Sequence, residues 1–270
     1  MSRGTSSNIQ MGHTPRMRNP DDRSFGGGNA GPRCQACPLR WDHGFEPLTE
    51  AAARSVALYR LSHDRAWAGT TIVNQGQGSP RLFTLFSGWA AQYRRERSGG
   101  RYLLEILLPG DLAGLDAVYG SSRAATVTAL PDVTFCTFST VRPHDIRQSP
   151  DLSQNLMTVL SNALARAERR ASAIASGDAR GNLTNFLLEL HERLVRRNLI
   201  RSGSYKSPLA LRHLADATGL AKGHVHRTLQ SLERDQILSF RKGMVVFLDL
   251  ERAQEIGLGS DANLRVEPLL

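Results

Sequence analysis

Lys222, His224, His226 and Arg227 crowd one short stretch near the C-terminus, and they are side-chain types that grip and read nucleic acid. The guanidinium of Arg227 offers two parallel donors that match the O6 and N7 edge of guanine, whereas a lysine meets phosphate as a point charge. Arg241 and Lys242 form a second basic pair just ahead of Gly243. The chemistry implied is recognition of double-stranded DNA, with Arg227 on a base edge and Lys222, Arg241 and Lys242 on phosphate. Phosphate contact or plain solvent exposure is the alternative for Arg227. His226 can donate or accept and fixes no base by itself; His224 is either a helix-surface residue or a phosphate contact.

Such contacts need rigid elements behind them, and the flanking residues supply the pattern. Leu214, Ala215 and Ala217 precede Gly219, and Val225, Leu229 and Leu232 follow it at helical spacing. Ala215 is small where two helices cross, Gly219 suits a turn with positive φ, and Val225 returns to the shared core. This is the spacing of a helix-turn-helix; an ordinary helical hairpin with a glycine turn is the bland reading of the same residues. Context favours the first reading. Ser239-Phe240 and Val245-Val246-Phe247-Leu248 flank Arg241-Lys242-Gly243-Met244, which predicts a β-hairpin with a basic tip. A helix-turn-helix followed by a basic hairpin is a winged helix.

Bulk composition agrees with an anionic partner. The chain has 270 residues and a formal net charge of +9, with a sequence pI near 10.2. The charge is spread rather than blocked. No apolar run approaches the ~20 residues of a membrane span, and the N-terminus lacks an export signal, so a cytoplasmic protein without membrane contact is expected. The three cysteines cannot all pair within one chain and are read as thiols or ligands.

The expected organisation is a disordered arm at 1–32, rich in Gly, Asn, Ser, Arg and Pro, then a β-rich domain at 33–150. A long helix at 151–176, a DNA-binding domain at 177–257 and a tail at 258–270 follow. Within the β-rich part a helix is predicted at 48–61. Strands are predicted at 70–73, 81–86, 89–93, 102–108, 124–129 and 133–138, separated by Gly and Pro turn signals. Short strands at this spacing predict a β-roll or jelly roll. In the long helix Leu152, Leu156, Val159, Leu160, Ala163, Leu164 and Ala167 make an apolar stripe, suited to pairing with its twin, to packing on the β-roll, or to both on different faces. A helix at 182–196 enters the DNA-binding domain, and 198–208 is read as a loop or a short extension of that helix. The fold class is α+β.

This order of β-roll, long helix and winged helix-turn-helix resembles the Crp/Fnr family of bacterial transcription regulators, over roughly residues 34–257. The segment from Leu108-Pro109-Gly110-Asp111 to Val118 and the strand Phe135-Cys136-Thr137-Phe138 are similar to the Fnr branch. The resemblance implies a homodimer on a palindromic operator, contact with RNA polymerase, and a signal received by the N-terminal domain. In the Fnr-like recognition helix a glutamate, a serine and an arginine meet bases. Here Gly223 and His226 replace the first two, and Arg227 retains the third.

Two sensor types belong to the family. The cyclic-nucleotide type uses a glutamate for the ribose hydroxyls and an Arg-Ser pair for the phosphate. Here Leu115 occupies the glutamate position and Arg123 is followed by Ala124, so cyclic-nucleotide control is not expected. The Fnr type holds an iron–sulfur cluster on three N-terminal cysteines and an internal one. Cys34, Cys37 and Cys136 match three of these positions, and His43 falls where the third N-terminal cysteine would be. Four readings stay open: a cluster on Cys34, Cys37, His43 and Cys136, a zinc ion on the same set, a disulfide switch at Cys34 and Cys37, or no cofactor. A cupin-like metalloenzyme is the remote alternative; its strands would need convergent His or carboxylate ligands, and they offer only Glu105 and the nearby His63.

Overall fold

The structure is a computed structural model. It describes residues 31–42, 44–46, 48–78, 81–97, 99–116, 124–139, 149–201, 203–257 and Leu269. His43, Arg123 and most of the arm and of the tail lie outside the described residues.

The β-rich part is a sandwich of two antiparallel sheets. Strands β1 (Arg60–Ala66), β8 (Val133–Ser139), β3 (Arg81–Ser87) and β6 (Leu112–Ala113) form one, in that order. Strands β2 (Thr71–Val73), β7 (Thr126–Ala129), β4 (Ala90–Arg95) and β5 (Arg101–Leu107) form the other. Alternation along the strands sends Ala66, Leu85, Val133 and Phe135 inward from the first sheet, against Val73, Ala90, Leu107 and Val127 from the second. Ahead of the sandwich come a 3-10 turn (Cys34–Ala36), α1 (Pro38–Asp42) and α2 (Glu50–Tyr59), the last capped by Thr49.

Helix α3 (Pro150–Ala175) begins with its proline in the first turn, where the missing N–H costs nothing. Helix α4 (Ala179–Arg196) follows, capped by Asp178, whose carboxylate accepts from the N–H groups of Arg180 and Gly181. α4 is buried nearly all round. One side meets the outward face of β4 and β5 at Ala91, Tyr93, Leu103 and Ile106; the other meets α5 (Leu211–Thr218), α6 (Lys222–Arg234) and α7 (Leu250–Ile256). The C-terminal sheet orders β10 (Leu238–Arg241), β11 (Met244–Phe247) and β9 (Ser204–Lys206).

Three expectations need correction. The helix predicted at 48–61 stops at Tyr59, because Arg60 already pairs with Phe138 as the first residue of β1. Strand β1 is largely polar, so it carries no strong alternation signal. The strand predicted at 124–129 begins at Thr126. The segment read as a loop at 198–208 contains β9, whose Tyr205 is held against β11.

Candidate nucleic-acid interface and cysteine cavity

Gly219 ends α5 in the left-handed conformation, φ 70°, and its N–H donates to the Ala215 carbonyl. The turn delivers α6 with one face down: Val225, Thr228, Leu229 and Leu232 are buried. Lys222, His224, His226, Arg227 and Gln230 are all exposed on the other side. The same periodicity that buries one stripe therefore presents the predicted DNA-reading set to solvent. A side-chain carbon on Gly223 would sit 3.7 Å from the Arg227 guanidinium, an ordinary contact, so the arginine lies along an otherwise bare helix edge.

The wing is built as its turn residues demand. Lys242 and Gly243 have φ 52° and 78° at the tip of β10–β11. Arg241 and Lys242 are exposed, but they are not equivalent: Arg241 Nε donates to Glu233 Oε1 of α6 at 2.7 Å. Ser239 Oγ donates to the same oxygen at 2.7 Å. These hydrogen bonds hold the Glu233 carboxyl below its ordinary range. Arg241 thus braces the wing on the recognition helix, a partnership that sequence reading missed. Lys242 projects beyond it.

At the base of the winged helix, His213 is buried and its Nδ1 accepts from the Ala210 N–H at 2.9 Å. Burial first, then the Arg212 guanidinium beside it, push its pKa down to about 4. The residue is a neutral structural acceptor.

A second site lies at the far side of the β-roll. Cys34, Cys37 and Cys136 line one cavity of about 30 Å³, with Leu39, Arg40, Phe138 and Leu269 among the other walls. None of the three is disulfide-bonded. Burial pushes Cys37 up against the favourable field of Arg40, and burial pushes Cys136 up to about 12. Cys136 faces His63 across the β1–β8 register. The pKa of His63 is lowered, chiefly by burial and then by Arg60, and its Nδ1 hydrogen-bonds with the Cys136 Sγ at 3.3 Å, the donor being set by the ring tautomer. Both residues proposed for a cupin-like site are thereby engaged elsewhere, His63 with Cys136 and Glu105 with Arg166 and Arg193.

The described residues do not fit an iron–sulfur cluster or a zinc ion as they stand. The cavity holds about one water molecule. Among the described residues no three His, Cys, Asp or Glu side chains converge as metal ligands.

Between the halves lies a chain of ion pairs. Arg166 and Arg170 on α3 and Arg193 on α4 reach Glu105 of β5. Arg170 grips Glu189 of α4 with two of its three nitrogens, at 2.8 Å and 2.5 Å. Asp111, in the turn before β6, takes Arg193 and Arg197 together and accepts from the Leu108 N–H at 2.6 Å. Burial opposes ionisation of Asp111, but the two guanidiniums outweigh it and hold the carboxyl far below its ordinary value.

A sequence model described as the cyclic nucleotide-binding domain matches residues 65–148. One described as the IclR helix-turn-helix domain matches residues 203–241. The chain is 25% identical to the transcriptional activator protein FnrL of Cereibacter sphaeroides over 242 residues, covering 87% of this chain and 96% of that one. The chain is similar to regulators of the Crp/Fnr family. Its other relatives include the nitrogen fixation regulation protein FixK of Rhizobium meliloti, 24% identical over 74% of this chain and 85% of that one. In fold the chain is similar to FixK2 from Bradyrhizobium japonicum, with a TM-score of 0.67 at 20% identity, over 74% of this chain and 98% of that one. It carries a β-roll, a long helix and a winged helix-turn-helix in that order.

Proposed function

We propose that the chain is a homodimeric, cytoplasmic regulator that reads a palindromic operator through Arg227 and responds to redox state at Cys34, Cys37 and Cys136. The observation that carries the DNA reading is the outward row Lys222, His224, His226 and Arg227 on a helix anchored by buried Val225, Leu229 and Leu232. Lys222 and Lys242 serve phosphate, with Arg241 shared between phosphate and Glu233. Contact with RNA polymerase and a purely regulatory, non-enzymatic role follow from this reading.

Dimerisation is supported by α3. Met157, Leu160, Leu164, Ala167, Ala171 and Ile174 are all exposed and follow one another at alternating steps of three and four residues. That is the spacing of a two-helix seam. The opposite face of α3, with Leu152, Leu156, Arg166 and Arg169, is buried within its own chain.

The redox reading rests on three thiols at one cavity. Relatives named FnrL and, in Pasteurella multocida, "anaerobic regulatory protein" support it. As a switch, Cys34 and Cys37 would give two protons and two electrons to a peroxide-class oxidant and form a disulfide. Both would first have to leave the cavity. An iron–sulfur cluster needs a fourth donor, with His43 in place for it by sequence, and a wider cavity. Leu115, on the wall of a separate cavity of about 230 Å³ beside α3, offers no acceptor for a ribose hydroxyl, which speaks against cyclic-nucleotide control.

Selection from a random duplex pool by the full-length protein, reduced and peroxide-treated, tests the reading. A palindromic consensus and a change in affinity between the two states are expected. Retention of no duplex in either state overturns the DNA assignment, and equal affinities overturn the redox assignment. Purification without air decides the cofactor: colourless, iron-free protein removes the cluster.

A further inference from the structure

We infer that the segment carrying Cys34 and Cys37 is latched shut by the end of α4, so that thiol access and the seating of the DNA-reading half are set by one equilibrium. The inference builds on the redox reading of the cysteines but is tested apart from it.

The latch is built from Gly44, Phe45 and the α4 terminus. Phe45 is 7% exposed and packs with Leu39, Leu269, Cys37 and Phe86. Its ring lies against Gly110, which has φ +94° and where any side-chain carbon would overlap the ring. On that ring sits the guanidinium of Arg197, 5.2 Å from its centroid. Arg197 caps α4, donates to the Pro109 carbonyl at 3.0 Å and pairs with Asp111 at 2.6 Å. Gly44, at φ +62°, abuts the Arg196 carbonyl so closely that a side-chain carbon would collide with it. The cysteine segment therefore touches the helix that anchors the winged helix.

A second tie comes from the C-terminus. Leu269 lies beyond α7 in the chain, is 3% exposed, and forms part of the wall of the cysteine cavity. Cys34 also meets Leu152 of α3 in its own apolar cluster, so the contact with α4 is an additional route to the DNA-reading half, independent of the long helix.

The consequence is reciprocal. Lifting segment 34–46 to expose the thiols strips Phe45 from Arg197 and frees the α4 terminus; loosening the α4 terminus exposes the thiols. Cys37 is the reporter, since it packs directly in the Phe45 cluster.

The test is alkylation of Cys37 by iodoacetamide in the full-length protein, read residue by residue by mass spectrometry. Arg197→Lys keeps the charge but loses the guanidinium over the Phe45 ring, and Phe45→Leu keeps an apolar filler. Each is expected to raise the Cys37 labelling rate about tenfold, the signature of a weakened local closure. Arg180→Ala is the control: it removes the contacts with Ser231 and Asp235 at the other end of α4 and is expected to leave Cys37 unchanged. In the wild type, alkylated Cys37 is expected to speed amide exchange at residues 193–199 relative to unmodified protein. Unchanged labelling in Arg197→Lys, a rise of equal size in Arg180→Ala, or identical exchange at the α4 terminus overturns the latch. Equal operator affinity in both redox states with the latch intact overturns only the redox reading.

Discussion

Arg227 and His213 show how one helix pair assigns opposite fates to polar residues. Arg227 stands on the exposed face of α6. Arg227→Ala is expected to cost about 1–3 kcal/mol of operator binding and to relax preference at one base position; equal weakening across operator variants would mark a phosphate contact instead. His213 is a buried acceptor whose pKa is depressed, so its contribution to stability is complete above the ordinary histidine value of 6.5 and is lost as pH falls through about 4. Denaturant unfolding at pH 7, 5.5 and 4.5 is expected to show a decline that His213→Gln flattens. The exposed reading set was legible because a 3.6-residue period separates buried from exposed positions. The pairing of Arg241 with Glu233 and of Cys136 with His63 was not, because each depends on elements meeting across the fold rather than on spacing along the chain.

At the scale of elements, α3 is the most informative. One face carries arginines into the chain's own ion pairs and the other leaves an apolar seam exposed. Leu164 is 60% exposed in the middle of that seam. Leu164→Glu is expected to shift sedimentation toward monomer while leaving the melting temperature of the monomer unchanged; a persistent dimer would place the interface elsewhere. Sequence reading left both roles open for this helix because its stripe is wider than one partner needs, and the packing within the chain is the one seen here. It found the six apolar strands for the same kind of reason. It missed β1, β6 and β9, the first largely polar and the other two short edge strands, and placed β1's first two residues in a helix. These strands exist because a neighbour's backbone demands partners, which is a tertiary cause.

For the whole molecule, the contact between halves decides behaviour. Asp111 is buried under Arg193 and Arg197. Asp111→Asn removes the carboxylate that Arg193 and Arg197 share and is expected to destabilise the chain by about 3–5 kcal/mol, read by urea unfolding at neutral pH. A loss below ~1 kcal/mol would mean that water already reaches the pair. Arg101 of β5 adds an outer tie to Asp216 of α5. None of these pairs was foreseen, since charges far apart in sequence give no local pattern.

The C-terminal end of strand β5 has no solvent side to spare. Ile106 goes to the winged-helix core and Leu107 to the sandwich core, so neighbouring residues on one strand answer to different halves of the protein. Grafting this reader onto a foreign β-roll would bare the apolar flank of α4 unless the graft also carried the β4–β5 ribbon. The sensible seam for a hybrid regulator therefore runs through the sandwich, not through the hinge between the two long helices.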